Sequence, residues 1–199
     1  MKKLLKISAL IAAMALSCAF FGCSNENSSD DNNSNSGGST TISFDDCTAT
    51  ATGVTLSDGN WTLKITQSDD VSSSETNIKA TASNGSYTFN SGSGTKAVDL
   101  SKMLSQEKLT EFNALSPDEK KQEIIEIVKC PEDATITFNG NIVTIKASFS
   151  TEALQYFKSG CDFSNLPSEA IIKTNSDKTK YTITVYTNES TMVFYISKD

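Results

Sequence analysis

The chain has 199 residues, with 17 lysines and 24 acidic side chains, and it contains neither arginine nor histidine. Three of those lysines stand in the first six residues, which leaves 14 against 24 acids beyond them, a formal charge of −10; such a balance repels phosphate backbones, so nucleic acid is excluded as an expected partner. Without histidine or arginine the chain cannot build serine or cysteine nucleophiles activated by histidine, histidine metal sites, or a bidentate guanidinium clamp.

Lys2, Lys3 and Lys6 open the chain, Leu4 to Phe21 is apolar apart from Lys6, Ser8 and Ser17, and the sequence turns polar from Ser24. That is the layout of a secretory signal. With Gly22 directly before Cys23 at the end of the apolar run, it resembles the type II signal peptide of bacterial lipoproteins. Phe20 and Phe21 stand where that family has an aliphatic residue followed by Ala or Ser. The resemblance covers residues 1–23 only. It implies removal of residues 1–22, diacylglycerol and palmitate on Cys23, and a place on the bacterial envelope, at the outer membrane or cell surface rather than the inner membrane. Acyl chains contribute ~0.8 kcal/mol per buried methylene, so two or three on Cys23 would hold the chain at a membrane without a spanning helix. Cys18 reads as a small residue within the signal core, because the apolar run continues past it.

Residues 23–40 are the acylated cysteine and a tether. Ser24 to Thr40 has no apolar side chain to bury and is expected to be flexible, spanning about 20–25 Å. Asp31, Asn33 and Asn35 have the spacing of a calcium loop, but Ser36 replaces its sharp-turn glycine and Ile42 its bidentate glutamate, so no metal site is expected there.

Residues 41–199 have the size of one domain. Ile42 to Thr50 and Gly53 to Leu56 are expected as opening strands, followed by a turn at Asp58-Gly59-Asn60. Trp61, Leu63 and Ile65 alternate with Thr62, Lys64 and Thr66, the period of a strand with one buried face. Asp69 to Glu75 reads as a polar loop with its acids at a solvated rim. Ile78, Ala80 and Ala82 repeat the alternation, Asn84-Gly85 signals a hairpin, and Tyr87 and Phe89 follow. Gly92 and Gly94 are expected to end the sheet.

The period then lengthens. Ser105 is expected to cap a helix whose buried stripe is Leu109, Phe112 and Leu115, with Leu104 stapled to Leu109. Ser105 and Lys108 also have the serine-to-lysine spacing of penicillin-binding enzymes, but the companion motifs are missing, since Lys180 follows Lys178-Thr179 where glycine belongs. Ser116-Pro117-Asp118-Glu119 is a second helix start, with Ser116 as cap and Pro117 in the first helical position. Ile124, Ile125, Ile127 and Val128 form its apolar face, and Pro131 ends it. Ile136 and Phe138, a turn at Asn139-Gly140-Asn141, and Val143, Ile145, Ala147 and Phe149 make a further hairpin. Ser150 is expected to cap a short helix carrying Leu154, Phe157 and a terminal Gly160. Ile171 to Thr174, Tyr181 to Thr187 and Met192 to Ile196 read as three closing strands.

These elements define an α+β domain in which a two-layer antiparallel sheet built from hairpins packs against a few helices. Cys47, Cys130 and Cys161 are an odd set for an exported protein; Cys130 with Cys161 is the favoured disulfide because each follows a helix, and burial without pairing is the competing reading. No cofactor, metal or catalytic residue is expected. The function so defined is a lipid-anchored, non-enzymatic envelope protein whose domain binds a protein or a glycan, attached to the membrane through the lipid on Cys23. The strand faces bearing Thr62, Thr66, Thr144, Thr182 and Thr184 are candidate contact surfaces. A hydrolase using two carboxylates on envelope or host glycans is the alternative, because that chemistry needs neither histidine nor metal; a periplasmic inhibitor or assembly factor is a third reading.

Overall fold

The computed structural model describes residues 42–128, 133–160, 163, 166, 169–186 and 190–199, apart from the side chains at 156, 157, 159 and 160. They form nine strands: β1 (Ala49–Thr50), β2 (Gly59–Ser68), β3 (Ser72–Ser83), β4 (Ser86–Asp99), β5 (Thr135–Asn139), β6 (Ile142–Ser148), β7 (Ile171–Thr174), β8 (Lys180–Tyr186) and β9 (Thr191–Lys198). Four helices accompany them: α1 (Leu100–Met103), α2 (Gln106–Ala114), α3 (Pro117–Val128) and α4 (Thr151–Gly160).

All nine strands belong to one sheet in the order β1-β7-β8-β9-β2-β3-β4-β6-β5, and every neighbouring pair is antiparallel. The hairpins β2-β3, β3-β4, β5-β6, β7-β8 and β8-β9 are local. The joint between β9 and β2, from Trp61 opposite Lys198 to Ser68 opposite Thr191, is not, and it brings the end of the chain to the middle of the sheet.

Residues directly opposite on paired strands share a face. Leu63 lies between Ile78 and Ile196, and Ile65 between Thr76 and Phe194. Ile183 faces Phe194 and Ile172, and Val98 faces Val143. The period-two apolar positions of all these strands therefore fall on one face. Two clusters form there. The first holds Trp61, Leu63, Ile65, Ile78, Phe89, Tyr181, Ile183, Phe194 and Ile196 together with Phe149, Leu154 and Phe163. The second joins Val98, Val143 and Ile145 to Leu100, Leu109, Phe112, Ile124 and Val128 from α1, α2 and α3. Lys96 shares this face, between Ser74 and Ile145, and burial pushes its amine below the usual lysine range, with Asp69 partly offsetting the effect.

The local signals act as expected at several points. Asn84 (φ 53°) and Gly85 (φ 76°) both take left-handed conformations in the β3-β4 turn, which only such residues adopt at low cost. Ser116 and Glu119 cap α3 reciprocally, the Glu119 amide donating to Ser116 Oγ at 3.4 Å and the Ser116 amide to Glu119 Oε2 at 2.9 Å. Ser105 caps α2 and Ser150 caps α4 through the amides of Lys108 and Ala153. Pro131 and the side chain of Phe157 lie outside the described residues.

Four expectations require correction. Only Ala49–Thr50 of the opening segment is strand. Ile42, Phe44 and Cys47 do not keep a period of two, and the Cys47 amide donates to the Phe44 carbonyl in a turn. Gly53 to Leu56 is not a strand either: its backbone is held by side chains, with Tyr181 Oη donating to the Thr55 carbonyl at 3.0 Å and Trp61 Nε1 to the nearby Ser57 carbonyl at 2.8 Å. The loop expected over Asp69 to Glu75 shrinks to Asp69–Val71, because Asp69 accepts from the amides of Val71 and Ser72 and so closes a tight turn; β3 begins at Ser72 and includes Glu75. Finally, β4 runs through Gly92 and Gly94 to Asp99, whose carboxylate caps α1, a helix without an apolar period of its own.

Gly92 marks a close approach. A Cβ at this position would lie 2.6 Å from Phe149 Cδ2 and 3.0 Å from Leu154 Cδ2, so the absence of a side chain lets α4 and the segment before it reach the sheet. Gly92→Ala is expected to cost about 1–3 kcal/mol by overpacking, read as a lower urea midpoint with an unchanged m-value. An unchanged midpoint would show that α4 does not press on this strand.

Candidate functional site

Cys23, the lipidation candidate, Cys18, and the favoured disulfide partners Cys130 and Cys161 lie outside the described residues, as does the tether 24–40. Cys47 is described, and it is a free, buried thiol. Burial, reinforced by Asp46, raises its pKa, against opposition from Lys180 and a backbone hydrogen bond from Asn175; a thiol so placed is a poor nucleophile. Among the described residues no group of three or more Cys, Asp or Glu side chains is arranged to hold a metal ion, and no helix is long and apolar enough to cross a membrane.

The sheet face opposite the clusters carries the polar half of each alternation. Cross-strand register places all five candidate threonines on it. Thr184 faces Val193, which faces Thr66, which faces Glu75, and Glu75 faces Thr95. One row along, Thr182 faces Tyr195, which faces Lys64. Thr62 shares the next row with Ser197 and Lys79, and Thr144 faces Ala97.

The two ends of this face differ. At one end the segment 43–47 lies over it: the Phe44 ring packs against Tyr195 with centroids 5.2 Å apart, and Lys180 Nζ donates to the Ser43 carbonyl at 2.9 Å and pairs with Asp46 at 3.1 Å. Ser197, in the Lys180 row, is buried. Next to it a polar chain crosses the strands, Lys79 Nζ donating to Thr62 Oγ1 at 2.7 Å and Thr62 Oγ1 to Asp199 Oδ1 at 2.6 Å.

The other end is open. A depression of about 330 Å³ lies there, lined by Thr66, Gln67, Ser68, Ser73, Ser74, Glu75, Thr95, Ala97, Thr191 and Val193. Threonine, serine, valine and alanine account for eight of these ten residues. Glu75 is the one carboxylate among these residues. Lys64 Nζ approaches it at 2.7 Å and Asn77 Nδ2 donates to it at 3.0 Å, and these two bonds hold its pKa below the usual carboxylate range against a smaller opposing effect of burial. Beside the depression, opposite Thr191, stands Tyr186, 62% exposed. Ile171, opposite Thr184, is 46% exposed.

The sequence pattern identifies the threonines but not Glu75 or Tyr186. Glu75 sits in a run of serines and acids without an apolar period; carrying the alternation of Ile78 and Ala80 back through Thr76 would have extended the strand to it. The alternation of Tyr181, Ile183 and Val185 places Tyr186 outward, but an aromatic ring at the end of a strand carries no local sign of a binding role.

Comparison with family models, with curated proteins and with solved structures finds no match for this chain.

The Lys64–Glu75 pair has a measurable signature. Because the folded pKa of Glu75 is lowered, its stabilisation is present above the unfolded pKa of about 4.3 and is lost as pH falls through the folded value. Both side chains are over two-fifths exposed, so solvent screens the pair. Glu75→Gln is expected to cost about 0.5 kcal/mol at neutral pH, with the urea midpoints of the two proteins converging by pH 3. A gap of the same size at both pH values would place the loss outside the ion pair.

Proposed function

We propose that this chain is a lipid-anchored envelope protein whose non-enzymatic domain, residues 41–199, binds its partner on the polar face of the sheet. The domain is a two-layer α+β arrangement in which the helices cover the apolar face. The presence of Leu109, Phe112, Ile124 and Val128 in one cluster with the strand residues Val98, Val143 and Ile145 supports this.

The observation that carries the reading is the asymmetry of the sheet. Apolar side chains collect on one face, and the other presents threonine, serine, lysine and tyrosine, half-open to solvent, with a depression at its uncovered end. Such a face is an area of fixed backbone on which short side chains are held in register, and that favours contact over chemistry. The depression's carboxylate supports binding over hydrolysis by paired carboxylates: a general acid needs a raised pKa and a second carboxyl group at fixed distance, whereas Glu75 is ionised and held by Lys64. The anchor rests on the residues before the fold, where Gly22-Cys23 closes the apolar run.

Two readouts test the proposal together. The native protein is expected to partition into the detergent phase and Cys23→Ala to remain aqueous. Immobilised native protein is expected to retain an envelope or matrix component that a variant carrying Thr66→Lys and Thr184→Lys loses while keeping its thermal midpoint. Aqueous behaviour of both forms would refute the anchor. Retention indifferent to the two lysines would refute the face.

A further inference from the structure

The open end of the polar face has the chemistry of a site for an uncharged, hydroxyl-rich ligand. Its two rows of side chains span β8, β9, β2, β3 and β4, with strands about 4.8 Å apart, so the surface is a shallow trough rather than a closed pocket. An extended ligand lying across the strands would meet a new pair of side chains at each step. Thr66, Ser73, Thr95 and Thr191 offer hydroxyls that both donate and accept, and Glu75 offers carboxylate oxygens fixed by Lys64 and Asn77.

Charge narrows the ligand class. Lys64 and Glu75 neutralise one another at 2.7 Å, which leaves Lys146, exposed opposite Thr95, as a single unbalanced cation in these rows; that is neither the cluster of cations that a phosphate or sulfate needs nor the cluster of anions that a basic peptide needs. The chain as a whole has a net charge of −7, which disfavours polyanions further. A protein partner is usually anchored by a large apolar side chain in a pocket, and this trough is shallow with walls of small side chains. What it offers is a ring to stack on and hydroxyls to exchange hydrogen bonds with. Tyr186 supplies the ring: 62% of it is open to solvent, and its cross-strand partner Thr191 lines the trough. An exposed tyrosine gives wide amphipathic contact area at low conformational cost.

We propose that the trough beside Tyr186 binds a neutral oligosaccharide, with the apolar face of one sugar ring on the Tyr186 ring and the hydroxyls of sugar units further along on Thr66, Glu75 and Thr95, which stand two, three and four strands away. The proposal rests on the reading of the polar face as the binding face and commits that face to one ligand class.

The test uses the full chain in detergent micelles against a printed array of neutral oligosaccharides (β-glucans, α-glucans, mannans and N-acetylated chitin fragments), with sulfated and uronic-acid oligosaccharides printed alongside. At least one neutral glycan is expected to bind, with an affinity unchanged between low and high salt. Titration of that glycan should show Tyr186→Ala weakening Kd about tenfold or more, Tyr186→Phe retaining it, and Glu75→Gln weakening it. Thr137→Ala, at the far edge of the same face, should leave it unchanged. Because Tyr186 is exposed, its variants should unfold at the native midpoint, which is measured in parallel. Binding confined to the charged glycans, or neutral binding indifferent to Tyr186→Ala and Glu75→Gln, would overturn the proposal. Retention of a protein component through Thr66 and Thr184 with no glycan bound would overturn the ligand class and leave the binding face standing; failure of both would overturn the face itself.

Discussion

The structure depends on the pairing of β9 with β2. Strand β2 carries Trp61, Leu63 and Ile65, all almost fully buried, and it can bury them only if apolar neighbours stand on both sides. The β2-β3 hairpin supplies Ile78 and Ala80 on one side at small cost in loop entropy. The other side comes from the last strand, more than a hundred residues later, through Phe194 and Ile196. Closing so long a loop costs only a little more than closing a short one, because the penalty grows with the logarithm of its length, whereas each large apolar side chain buried contributes about 1.5–3 kcal/mol. The remaining sheet grows outward from this joint, β8, β7 and β1 on one flank and β3, β4, β6 and β5 on the other.

Once the joint is made, the polar face follows from strand geometry. Side chains alternate, so committing one face of nine strands to the core commits the other to solvent. The chain then treats the two ends of that outer face differently. Residues 43–47 cover the rows of Ser197 and Tyr195, anchored through Phe44 and Lys180. The rows of Glu75 and Tyr186 stay open. A surface of threonine, serine, a matched ion pair and one further lysine, Lys146, suits weak and numerous hydrogen bonds more than a single deep anchor.

How much of this was legible in the sequence follows from where each signal resides. Capping at Ser105, Ser116 and Ser150 depends on residues three apart, and the turns at Asn84-Gly85 and Gly140 depend on backbone conformations that few residues tolerate, so each could be read locally. The closing strands β7, β8 and β9 were also visible in their alternation. The glycines misled: Gly92 reads as a strand breaker because its local effect is to loosen a strand, but its use in the fold is to admit Phe149 and Leu154, contacts made across more than fifty residues. Glu75 was hidden because a polar outer edge of a strand and a polar loop have the same composition. The strand order was not legible at all, since no local feature of β9 says that its neighbour is β2 rather than β7.

Native-state hydrogen exchange across β2, β3, β8 and β9 reads out whether the sheet depends on this joint. If the β9-β2 joint holds the sheet together, amides of Leu63, Ile65, Ile78, Ile183, Phe194 and Ile196 should exchange only through one shared opening that matches the global unfolding free energy and responds equally to denaturant. If the amides of β7, β8 and β9 instead exchange through a separate, lower-energy opening while β2, β3 and β4 stay protected, the joint is peripheral and the sheet does not depend on it.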